Sequence, residues 1–141
     1  MDVHLLTLDD LDLLLGVEPG LFDKDIVPAQ ARAFLASPLN AIAVALDDGA
    51  VVAFASGTVL LHPDKPPSMF VNEVGTRDSH LRRGYATAVS EALFAWARAR
   101  SCEGIWLATE PDNEAALGLY RRLGGEEMAI VGFAWDGAFD E

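Results

Sequence analysis

The chain has 141 residues, 51% apolar and 23% charged, which is enough for one buried core and too apolar for a disordered segment. Ten Lys and Arg stand against 22 Asp and Glu, a formal charge of −12 that repels a phosphate backbone and excludes general nucleic-acid binding. The single cysteine, Cys102, excludes an internal disulfide and a Cys-based metal centre, and it fits a reducing cytosol.

The segment Met1–Leu6 lacks a cationic region, and Asp9, Asp10 and Asp12 interrupt the apolar run. Neither a signal peptide nor a membrane span is expected. The expectation is one cytoplasmic domain over residues 1–141, with no membrane, nucleic-acid or metal partner. Its acidity favours a cationic ligand, although solubility alone accounts for such a surface.

In chain order, residues 2–6 read as a strand. Thr7 then caps a short helix ending near Leu15, with Asp10 in its first turn. Pro28 opens a second helix bearing Ala31, Phe34 and Leu35, with Pro38 beyond its end. Residues 41–47 and 50–61 are strands joined at Asp48-Gly49, a hairpin signal. The Pro-rich stretch His62–Ser68 is a loop, and residues 69–76 form the next strand.

Helical spacing starts at Gly84, with Val89, Leu93, Trp96 and Ala97 as its apolar stripe. Residues 105–109 read as a strand. Asn113 caps a helix carrying Ala116, Leu119, Tyr120 and Leu123, which stops at Gly124-Gly125. A last strand is expected around residues 127–135. Three antiparallel strands followed by a β-α-β crossover predict an α/β, mixed and mostly antiparallel sheet with helices on both faces.

Two segments carry chemistry. Val74–Ala86 joins a strand to a helix, and a helix start offers unpaired N–H groups and partial positive charge to a phosphate. Gly84 permits close backbone approach, Ala86 keeps it open, and Arg82 and Arg83 supply cations. Alone, this is also what a plain loop-to-helix turn with solvated arginines looks like. The second segment, Asn113–Gly125, follows at a compatible distance.

Together the two segments resemble the GNAT superfamily of acyl-CoA-dependent N-acetyltransferases. Residues 81–86 look like its pyrophosphate motif, Gln/Arg-x-x-Gly-x-Gly/Ala, and Asn113–Gly124 like its Asn-x-x-Ala-x-x-Leu-Tyr helix. The resemblance spans residues 69–127. One departure falls on Leu81, where the family has Gln or Arg; Arg82, Arg83 and His80 are the residues that could compensate.

The resemblance implies a GNAT-like fold with splayed fourth and fifth strands and pantetheine between them. It implies acetyl-CoA held by Val74, Gly75, Thr76, Arg82, Arg83, Gly84, Tyr85, Ala86, Thr87, Asn113 and Tyr120. The Val74 N–H would face the acetyl carbonyl, a kind of contact worth roughly 3–4 kcal/mol in a transition state. A homodimer follows by family analogy alone.

Direct transfer needs a neutral amine, so a base must take a proton. Glu73 is the candidate, although alternation also allows it to be one solvent-facing residue of a half-exposed strand. Tyr120 is the candidate donor to the departing thiolate, and its spacing equally suits a core residue.

Glu73, Glu110 and Asp112 are the expected acceptor-binding carboxylates, with Asp23, Asp25, Asp136, Asp140 and Glu141 as further candidates. The segments His62–Pro67, Asn72–Gly75 and Thr109–Asn113 resemble the branch related to aminoglycoside 3-N-acetyltransferases, which implies a polycationic sugar as acceptor. A peptide, protein N-terminal or polyamine acetyltransferase, or a non-catalytic acyl-CoA-binding module, are the other readings.

Overall fold

The computed structural model describes residues 1–138. Asp140 and Glu141 lie outside the described residues. Strands β1 (Asp2–Leu5), β2 (Asn40–Asp47), β3 (Ala50–Leu60), β4 (Ser68–Thr76) and β5 (Gly104–Trp106) form one sheet in sequence order. The first four strands pair antiparallel, and β4 pairs with β5 in parallel. Helices α1 (Leu11–Leu15), α2 (Pro28–Ala36), α3 (Tyr85–Ala99) and α4 (Glu114–Arg122) complete the element order. No helix among the described residues is long and apolar enough to cross a membrane.

Period-two alternation divides the core. Ala41, Ala43 and Ala45 of β2 face Val89, Leu93 and Ala97 of α3, and these small side chains let the helix lie close. Ile42 and Val44 point the other way, against Leu11, Leu14, Leu21, Ala31 and Phe54. Helices thus cover both faces. Fully buried Phe54, Leu93 and Val44 each contribute about 1.5–3 kcal/mol of transfer free energy.

Local chemistry sets the element boundaries. Asp48 and Gly49 both have positive φ, 51° and 78°, as a two-residue hairpin of the primed type requires. The Thr7 N–H donates to the Asp10 carboxylate at 2.8 Å, and a short 3₁₀ turn, Leu8–Asp10, leads into α1. Asn113 Oδ1 accepts from the Ala116 N–H at 3.1 Å, capping α4. Beyond α4, the N–H groups of Gly124 and Gly125 return to the carbonyls of Arg121 and Tyr120, which ends the helix.

Two expectations need correction. Residues 127–135 form no strand. The β5 edge is three residues long, so this segment finds no ladder, and Met128, Ile130, Val131, Phe133 and Trp135 are exposed. Residues 107–109 likewise leave the sheet. Pairing between β4 and β5 covers only Ser68↔Gly104, Met69↔Ile105 and Phe70↔Trp106, whereas β4 continues beside β3 to Thr76. The two strands splay from Val71 onward, leaving that edge of β4 without a β5 partner.

Candidate active site

A cleft of about 920 Å3 lies on the α1–α2 side of the sheet. Its walls include Asp23, Asp25 and Glu73, with Lys24 as the one cation among its lining residues. Phe22 stacks on Phe54 at 4.0 Å between ring centroids, which fixes the loop that carries Asp23 onto the sheet. The same loop is tied from below by Arg77. Its guanidinium donates to the carbonyls of Glu18 (2.7 Å), Pro19 (3.0 Å) and Val51 (3.2 Å).

A β-bulge presents Glu73 to this cleft. Ser56 pairs with Glu73 and Gly57 with Val71, so Asn72 is the extra residue of β4. Asn72 and Glu73 therefore both line the cleft, against simple alternation. Burial, and then the negative charge of Asp23, hold the Glu73 carboxyl above its ordinary 4.5. That is the direction a general base requires.

Gly75 serves packing as well as backbone exposure. A Cβ there would sit 2.8 Å from Phe54 Cε1 and 3.3 Å from the Leu21 carbonyl oxygen. Only glycine lets the Phe54 ring lie across β4 at this point.

The loop after β4 builds the second part of the site. Asp78–His80 make a 3₁₀ turn, Arg82 takes positive φ (62°), and Gly84 follows at 86° as the N-cap of α3. A Cβ on Gly84 would meet only Met1 Cε, at 3.6 Å, so space at the start of α3 is open. Arg82 and Arg83 are exposed and make no hydrogen bond or ion pair among the described residues. Tyr85, Ala86 and Thr87 form the first turn of α3, half-buried.

His80 is not available to replace the side chain missing at Leu81. Its Nε2 pairs with Asp47 Oδ2 at 2.7 Å, and Ser79 Oγ pairs with its Nδ1 at 2.7 Å, so both ring nitrogens are engaged. Leu81 itself is exposed.

Other expected residues lie apart from the cleft. Glu110 and Asp112 are exposed in the turn before α4 and do not line it. Asp136 stands in a separate turn near the C-terminus. Tyr120 is half-buried on α4, and burial pushes its phenol above 10. Among the described residues no group of His, Cys, Asp and Glu could hold a metal ion. The contacts made by Asn72, Arg77 and the Asn40–Thr58 pair join positions far apart in the chain, and local sequence carries no signal for them.

Residues 11–125 match the acetyltransferase (GNAT) family model. A comparison with curated proteins returns no significant match. An aminoglycoside acetyltransferase from an uncultured soil metagenomic sample superposes with a TM-score of 0.84 at 22% identity, covering 96% of this chain and 97% of that one. AAC(6')-Iy, in complex with the bisubstrate analogue CoA-S-monomethyl-acetylneamine, gives 0.80 at 22% identity and covers 96% and 97%. A ribosomal-protein-alanine N-acetyltransferase from Brucella melitensis gives 0.71 at 20% identity and covers 94% and 100%. At these identities the likeness speaks for the fold alone, and with the family match the conclusion is that this chain belongs to the GNAT family of acetyltransferases, enzymes that use acetyl-CoA.

Proposed function

We propose that the chain is a single catalytic domain that transfers an acetyl group directly from acetyl-CoA to a primary amine of a small polycationic acceptor, aminoglycosides included. The observation that carries this reading is the cleft at Glu73, whose walls hold three carboxylates and one lysine beside the splayed edge of β4. Such a site attracts ammonium groups and disfavours anions.

Residues present fit acetyl-CoA. Arg82 and Arg83 make no ion pair among the described residues, and the start of α3 has room for a phosphate against its N–H groups. In this reading Gly84, Tyr85, Ala86 and Thr87 hold the pyrophosphate with those arginines. The main chain of Val74, Gly75 and Thr76 meets the pantetheine arm, and Asn113 and Tyr120 approach from α4. Bound acetyl-CoA supplies the activated acyl group.

Glu73, directly or through water, takes the proton that the ammonium must lose. The amine nitrogen then forms a bond to the acetyl carbon, with the Val74 N–H donating to the oxyanion. The nitrogen gives up its second proton, by way of water and the Tyr120 hydroxyl, to the sulfur as the C–S bond breaks and the thiolate leaves. Its conjugate thiol has a pKa of roughly 8.5, below a phenol's ~10, so a proton from Tyr120 moves uphill. Burial increases that gap. Tyr120 therefore acts first as a hydrogen-bond donor to the sulfur, with the proton following as charge develops.

Release of free CoA thiol over a panel of amines tests the proposal. Turnover with aminoglycosides or polyamines, and little with neutral or acidic amines, is the expected result. Acetyl-CoA binding without thiol release from any amine would instead indicate a non-catalytic binding module.

A further inference from the structure

A chain of hydrogen bonds links α2 to three strands beside Glu73. Asn40 Nδ2 donates to the Phe34 carbonyl at 3.3 Å, Thr58 Oγ1 donates to Asn40 Oδ1 at 3.0 Å, and Asn72 Nδ2 donates to Thr58 Oγ1 at 3.0 Å. The chain has one polarity only. A main-chain carbonyl can only accept, so Asn40 must turn its NH2 to Phe34 and its oxygen to Thr58. The Thr58 hydroxyl is then committed as donor and can receive only a donor from Asn72. Asn72 therefore turns its carbonyl oxygen away from Thr58, with one of its two N–H groups spent on that hydroxyl.

We propose, resting on the acetyltransferase reading of this cleft, that Asn72 is a specificity-determining residue. It selects acceptors that carry a second hydrogen-bond donor, a hydroxyl or ammonium, two or three carbons from the reacting amine. Asn72 and Glu73 are consecutive, roughly 3.8 Å apart at their Cα atoms, and the bulge turns both into the cleft. Acceptors on two consecutive residues lining one cleft can meet two donors on one short carbon bridge. Thr58 and Asn40 are positioning residues, since they fix which atom of the Asn72 amide faces the acceptor. A substrate offering only a lone pair gains nothing from the Asn72 carbonyl oxygen.

The test compares three singly charged amines: n-propylamine, 3-amino-1-propanol and 3-methoxypropylamine. The wild-type enzyme should show a KM for the amino alcohol about tenfold below those of the alkylamine and the ether, one hydrogen bond's worth, with similar kcat. Asn72→Leu should raise only the amino alcohol's KM, to the level of the other two. Asn72→Asp, still an acceptor, should retain the discrimination. Thr58→Val, which frees the amide to rotate, should lose it. If Asn72→Leu does not fold, Asn72→Ala carries the same test.

Equal KM values for alcohol and ether in the wild-type enzyme overturn the inference. So does a variant that raises all three KM values together. Turnover of other amines but none of these three also overturns it, leaving the acetyltransferase reading intact. Absence of thiol release with every amine overturns both.

Discussion

Asp23, on the loop after α1, and Glu73, on β4, line one cleft, and the charge of Asp23 adds to burial in raising the Glu73 carboxyl above 4.5. The pair sets both the protonation of the candidate base and the attraction for a cation. Asp23→Asn should therefore move the acidic limb of the kcat/KM profile to lower pH and raise KM for cationic amines. A pH-rate series on the two proteins checks both effects. An unshifted limb separates Asp23 from Glu73.

The same shift has a consequence for stability. The Glu73 carboxyl titrates above its unfolded value, so its neutral form is the one the fold favours. The associated stability is full below about pH 4.5 and is lost as pH rises through the folded value. Glu73→Gln should match the wild-type melting temperature at acidic pH and exceed it at neutral pH. Thermal melts from pH 4 to 8 test this.

Gly75→Ala should destabilise by about 1–3 kcal/mol through overpacking. The added Cβ meets the Phe54 ring at 2.8 Å. Because that ring stacks on Phe22, amine KM should rise along with the loss of stability. Denaturant unfolding and steady-state kinetics measure the two effects.

Arg77→Met removes all three donors to Glu18, Pro19 and Val51 while keeping much of the side-chain volume. The cost should be about 1–3 kcal/mol. The loop carrying Asp23 and Asp25 loosens, so KM for the amine should rise more than KM for acetyl-CoA. Equal effects on both would place Arg77 in general stability alone.

Much of the fold is legible in local sequence. Asp48-Gly49, Asn113 and the Gly124-Gly125 stop work through contacts within a few residues, and all three lie where spacing puts them. The turn at Arg82–Gly84, with positive φ at Arg82 and Gly84, is legible for the same reason. What was hidden depends on distant partners. Residues 127–135 have strand-forming side chains, but a strand needs an edge, and β5 supplies only three residues. The Asn72 bulge depends on register against β3, and the reach of Arg77 to Glu18 spans 59 positions. Asp23 lines the cleft and Glu110 and Asp112 do not, a difference set by which loops pack on the sheet face rather than by neighbours in sequence.

Whether Glu73 takes the proton from the amine is decided by the pH dependence of thiol release by wild type and Glu73→Gln. Wild-type kcat/KM should fall with acid through a pKa above 4.5. The variant should lose that limb and roughly 10²–10⁴ in rate, with acetyl-CoA binding unchanged. A variant that keeps the wild-type rate and the same acidic limb would remove Glu73 as the base.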